Sequence, residues 1–215
     1  MKFFFSKSKS DTSSSKLSSE EESLLSHINI GIDLALLIKG KTKSNIEGLY
    51  ELQMFDDYKD EPQLKGIKSK VDDKVTMPDL YKKVKDLQAD SNFSDYHIFS
   101  CGHYGSDKDY FIGAIKTNDQ FECLRVFETN GINYNLETKD IIAFFEKWQR
   151  QVKFSIIDAY HDRVIIQLFN FDFNIDEFAK ETLEFCPDFL AAVEDVEQMK
   201  KYILDRKGEI DFWWD

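Results

Sequence analysis

Hydrophobic positions along this 215-residue chain fall into blocks of two different periods. Leu24, Leu25, Ile28, Ile32, Ala35 and Leu36 recur at helical spacing, with Ser19 and Glu22 reading as a capping box at the start and Gly40 as the stop. Leu80, Val84 and Leu87 predict a further helix, with Pro78 in its first turn, where a missing N–H does no harm. The period then changes. Residues 96–101, 110–116 and 121–127 are β-branched and aromatic runs that predict three strands. Turn-forming residues at 102–109 and 117–120 make an antiparallel meander the simplest pairing, and Asn130-Gly131 marks its exit.

Helical spacing returns at Ile141, Phe145, Trp148 and Val152, behind a cap at Thr138. Residues 154–159 and 164–169 read as strands around a turn at Tyr160-His161-Asp162-Arg163. Asn174 with Glu177 predicts the next helix start; Phe178, Ala179, Thr182 and Phe185 give its buried side, and Pro187 ends it. Val196, Met199 and Ile203 predict one more helix up to Gly208, and residues 209–215 a closing strand. Residues 41–76 are highly charged and least legible, with Leu52, Met54 and Phe55 as a candidate short strand.

From about residue 120 the order reads β-α-β-β-α-α-β. That is the ferredoxin-like βαββαβ plan with a helix inserted, extended by the meander: an α+β fold with an antiparallel or mixed sheet and helices on one face. Residues 1–18, low in complexity, are expected as a disordered tail, 19–104 as a helical and β region packed on the core, and 105–215 as the main domain.

Composition narrows the function classes. With 42% hydrophobic residues, including 19 Phe, 9 Tyr and 3 Trp, the chain has material for an aromatic core. A formal net charge of -12 argues against nucleic-acid binding through a basic surface and fits a basic protein partner. The acidity is concentrated late: residues 172–215 carry 13 acidic side chains against five basic ones. Three widely spaced cysteines do not make a disulfide scaffold, so the thiols are expected reduced and the protein cytoplasmic. The apolar run at Phe3-Phe4-Phe5 is too short for a secretion signal, and the longest apolar stretch, 28–38, holds Asn29 and Asp33 and is too short for a membrane span.

Several stretches in order resemble the family DUF4253, a domain of unknown function found mainly in bacteria. They are Thr129-Asn130-Gly131-Ile132-Asn133-Tyr134, the Trp148 helix, Phe154-Ser155-Ile156-Ile157-Asp158-Ala159, Glu184-Phe185-Cys186-Pro187-Asp188 and Trp213-Trp214-Asp215. The resemblance covers residues from about 105 onward and implies an architecture and a bacterial origin, but no activity. Where many relatives follow Cys-Pro-Asp with a polar stretch containing Asp-Gln-Gly, this chain has Phe189-Leu190-Ala191-Ala192-Val193.

Three constellations carry candidate chemistry. Alternation in the closing strand puts Ile210, Phe212 and Trp214 on one face and Asp211, Trp213 and Asp215 on the other. With Asp188, the latter make an acidic, aromatic binding surface. Cys186 as nucleophile with His161 and Asp162 as its base pair would make a hydrolase, provided thiol and imidazole come within hydrogen-bond reach. His97, Cys101 and His103 share a strand face if the strand runs straight, the donor set of a metal site. Gly40-Lys41-Thr42 imitates the end of a phosphate-binding loop, but Ala35 stands where that loop needs glycine. The sequence thus favours a non-enzymatic, acidic protein-binding module without cofactor, in its sharpest form an immunity-type protein that neutralises a toxin. Hydrolase and metal-binding protein are the alternatives.

Overall fold

A computed structural model describes residues 16–52, 61–103 and 109–214, His103 by its backbone alone. In chain order the elements are α1 (Ser19–Ile28), α2 (Ile32–Thr42), β1 (Ile46–Tyr50), β2 (Leu64–Lys70), α3 (Met77–Gln88), β3 (His97–His103) and β4 (Asp109–Ile115). They continue with α4 (Glu122–Val126), α5 (Thr138–Gln149), β5 (Phe154–Tyr160), β6 (Arg163–Leu168), α6 (Ile175–Phe185), α7 (Val196–Asp205) and β7 (Glu209–Trp213). The strands form one sheet in the order β1-β2-β4-β3-β5-β6-β7. Every neighbouring pair is antiparallel except β3 with β5, which is parallel, so the fold is α+β with a mixed sheet. No helix among the described residues is long and apolar enough to cross a membrane.

Strand alternation feeds two separate cores. Ile67, Ile98, Ile112, Ile157 and Ile165 face one side and pack with Leu34, Ile38, Leu80 and Val84 of α2 and α3. Phe99, Ile156, Val164, Ile166, Ile210 and Phe212 face the other and pack with Phe145 and Trp148 of α5, Phe178 of α6 and Ile203 of α7. Helices therefore stand on both faces, not on one. Strands β5 and β6 are covered on both sides, which explains their nearly unbroken hydrophobic runs.

The first helical block is two helices. Asn29 takes a left-handed conformation (φ 54°) and closes α1, Ile30 turns inward, and Gly31 starts α2 while donating its N–H to the Tyr96 hydroxyl at 3.0 Å. Gly40 lies inside α2. The capping box sits one residue earlier than its sequence signature, on Ser18 and Glu21. Glu21 is drawn inward because its carboxylate also accepts from Lys39 Nζ (2.8 and 2.6 Å) and from the Ile46 N–H (2.7 Å), joining α1, α2 and β1. Burial opposes its ionisation, but those hydrogen bonds win and hold its pKa below the usual value. Glu137, not Thr138, caps α5.

Residues 121–127 are helical, not a strand. Asp119 accepts from the Phe121 N–H at 2.9 Å and from Arg125 at 2.7 Å, closing a short turn. Its apolar residues Phe121, Cys123, Leu124, Val126 and Phe127 are all buried, and a run of that kind has no periodicity to tell helix from strand. Without that strand the ferredoxin-like plan does not describe the sheet. β3, from the N-terminal half, occupies the place between β4 and β5 instead. Met54 and Phe55 lie outside the described residues, as do residues 1–15 of the expected tail.

Candidate functional site

Four segments meet at the end of the sheet where β5 turns into β6. The segment after α4 docks first: the buried Thr129 hydroxyl donates to the Tyr160 carbonyl at 2.8 Å, and the Asn130 N–H donates to the His161 carbonyl at 2.7 Å. Gly131 and Leu136 exchange backbone hydrogen bonds around a 3-10 turn (Ile132–Tyr134), with Asn135 left-handed at φ 56°. The loop is closed from beyond by the Tyr134 hydroxyl, which donates to Asp188 Oδ1 at 2.5 Å. Gly131 lies flat against Trp214: a Cβ there would stand 2.9 Å from two atoms of the indole. Trp214 in turn donates its backbone N–H to the Asp162 carbonyl (3.0 Å) and its indole N–H to the Phe185 carbonyl (3.3 Å).

Cys186 belongs to the same knot. It is fully buried, and its thiol donates to the Trp213 carbonyl at 3.0 Å. Burial pushes the thiol up to about 12, far from the reactive thiolate a nucleophile needs. His161 faces Asp162 at 3.3 Å and packs edge-on against Tyr160. The thiol's hydrogen bond thus goes to a backbone carbonyl, while the imidazole's contact is with its chain neighbour.

The described members of the expected acidic surface are half-buried and engaged within the chain. Asp211 is held by Arg163 through both guanidinium donors, Nε at 2.7 Å and Nη2, with little of its side chain accessible. Asp188 is half-buried and engaged by Tyr134. Trp213 is half-buried against Phe189, ring centroids 5.5 Å apart. Asp215 lies outside the described residues. At the metal candidates, His97 is buried, stacked on Phe99, with its pKa lowered to about 4 by desolvation. Cys101 is buried two positions beyond Phe99, its thiol pushed up to about 12. Nothing is described for the His103 side chain; among the described residues no three His, Cys, Asp or Glu side chains are placed to hold a metal ion.

The knot also leaves two large aliphatic side chains exposed. Ile132, on the Tyr134 side of the Tyr134–Asp188 hydrogen bond, is 64% exposed, and Leu190, on the Asp188 side, is 55% exposed. Beside Ile132 runs a shallow cleft of about 410 Å³, lined also by Leu136, Asn130, Glu128 and Glu137, with no basic side chain in its walls. Ile132 and Leu190 carry no sequence signal of this role, since a lone aliphatic residue in a loop reads as core. The Asn-Gly turn was the visible clue to a special loop.

The stretches that build the knot are the ones in which the sequence resembles a known family, and residues 111–215 match the model of the domain of unknown function DUF4253. They are a DUF4253 domain. Comparison with curated proteins and with solved structures finds no match. The match begins inside β4 and so leaves out β3, the strand that separates β4 from β5 in the sheet. Within the DUF4253 domain, Tyr134 bonds Asp188 and Gly131 packs on Trp214, while Thr129, Asn130 and Cys186 donate to the backbone carbonyls of Tyr160, His161 and Trp213. Their arrangement accounts for them as the lock of the fold's end.

Proposed function

We propose that this chain is a cytoplasmic, bacterial protein-binding module whose DUF4253 domain presents the Ile132 and Leu190 end to a basic protein partner. In its sharpest form the reading is an immunity-type protein that occludes a toxin's active surface. The single observation that carries it is the pair of large aliphatic side chains left exposed on segments that the knot holds rigidly. Apolar groups held rigid before contact lose little entropy on binding, and covering each contributes about 1.5–3 kcal/mol. The net charge of -12 favours a basic partner and speeds its approach.

The test is affinity capture with the products of neighbouring reading frames, followed by titration of any captured protein. Ile132→Asp with Leu190→Asp should weaken binding at least a hundredfold and abolish protection of cells expressing that partner. Phe169→Asp, at an equally exposed site at the other end of β6, should leave binding unchanged. Unaltered binding by the double variant overturns the assignment.

A further inference from the structure

The helical layer formed by α4–α7 does not reach the far strands of the sheet. Over β1, β2 and β4 it leaves a cleft of about 450 Å³, with Leu49 and Phe111 on the sheet side, Tyr160 at the end of β5 and Phe127 at the end of α4. Cys101 also lines it, its thiol protonated and so apolar in character. Lys68 enters this apolar cleft from the middle of β2, with its Nζ 4.5 Å from the centre of the Phe111 ring.

Lys68 is half-buried, yet none of the described carboxylates pairs with it. In a chain with 40 acidic and 28 basic residues, its neighbours on the same strand are paired: Lys65 with Glu51 at 3.6 Å and Lys70 with Asp109 at 2.5 Å. Glu51 and Asp109 are the two acids that line the cleft, and both are engaged by these other lysines. Among the described residues, no carboxylate forms an ion pair with Lys68. A half-buried ammonium set over an aromatic face, with no paired carboxylate among the described residues, keeps part of its desolvation cost. An anion entering the cleft would offset it.

We propose that this cleft binds a small aromatic monocarboxylate, its carboxylate on Lys68 and its ring between Phe111, Phe127 and Tyr160. One cation beside aromatic walls, with the two lining carboxylates engaged by Lys65 and Lys70, selects a single negative charge on a flat hydrophobic body. The volume lies in the range of small-molecule sites, roughly 300–1,000 Å³, and suits a ligand of one or two rings. The site is independent of the protein-binding end, and neither reading requires the other.

Isothermal titration of the full chain with benzoate and phenylacetate tests it, with acetate, inorganic phosphate and benzylamine as counterparts. The expected result is saturable binding of an aromatic acid, at least tenfold tighter than acetate, phosphate or benzylamine. Lys68→Met should weaken it at least tenfold, and Lys68→Arg should restore most of it. Matching urea midpoints for the three proteins would show that the fold is intact. If Lys68→Met does not fold, the Lys68→Arg protein and the ligand ranking decide alone. No saturable binding of either aromatic acid, equal binding of acetate, phosphate or benzylamine, or unchanged binding by a folded Lys68→Met protein overturns the proposal.

Discussion

His97 is the residue whose burial has the clearest thermodynamic price. Its Nε2 has no hydrogen-bond partner among the described residues, and desolvation lowers its pKa from 6.5 to about 4, with Asp119 pulling weakly the other way. Between those values the unfolded chain binds a proton that the folded chain refuses. Stability from this residue is therefore complete above pH 6.5 and lost as pH falls towards 4. His97→Leu should remove that dependence, gaining about 3 kcal/mol on the wild type between pH 6.5 and 4 in urea titrations. Parallel pH profiles for the two proteins would show that the imidazole is not the titrating group. The sequence marked His97 as unusual but suggested a ligand. It gave no hint that the neighbour would be the face of Phe99, at 5.3 Å.

At the scale of elements, legibility followed the sharpness of the local signal. The α5 face of Ile141, Phe145 and Trp148, the Asn174 cap of α6, the stop at Pro187 and the alternation of β7 were all read correctly, because each is a local rule. β2 was not read, because only Ile67 and Ser69 of its central residues face α2, while Lys65, Lys68 and Lys70 find their partners across the sheet. The loop after α4 was read as a turn, but its docking partner, Trp214, lies more than eighty residues on. That contact depends on a missing side chain. Gly131→Ala, at an ordinary φ of -124°, should lower stability by about 1–3 kcal/mol through overpacking and alter the near-ultraviolet circular dichroism of the tryptophans. An unchanged spectrum and midpoint would mean that the loop yields without cost.

The molecule as a whole is larger than its family segment. Residues 111–215 carry β5–β7 and the α4–α7 layer, but Ile112, Ile157 and Ile165 need α1–α3 to cover them, and β5 needs β3. A fragment of residues 111–215 should therefore bind a hydrophobic dye and melt without a cooperative transition; a sharp calorimetric transition from the monomeric fragment would contradict this. The joint between the halves is the parallel β3–β5 pair. There Ser100 bonds the buried Asp158, and the Gln88 amide donates to the carbonyls of both Ile98 (2.5 Å) and Ile156 (2.8 Å). Everything on the N-terminal side of that joint precedes residue 116, so during synthesis β3 can pair with β4 long before β5 exists. Its other edge stays open while some fifty further residues leave the ribosome, roughly 3–10 seconds at about 5–20 residues per second. Through that interval the nascent sheet offers neighbouring chains an unpaired strand, and the cell's chaperones have a defined window in which to shield it.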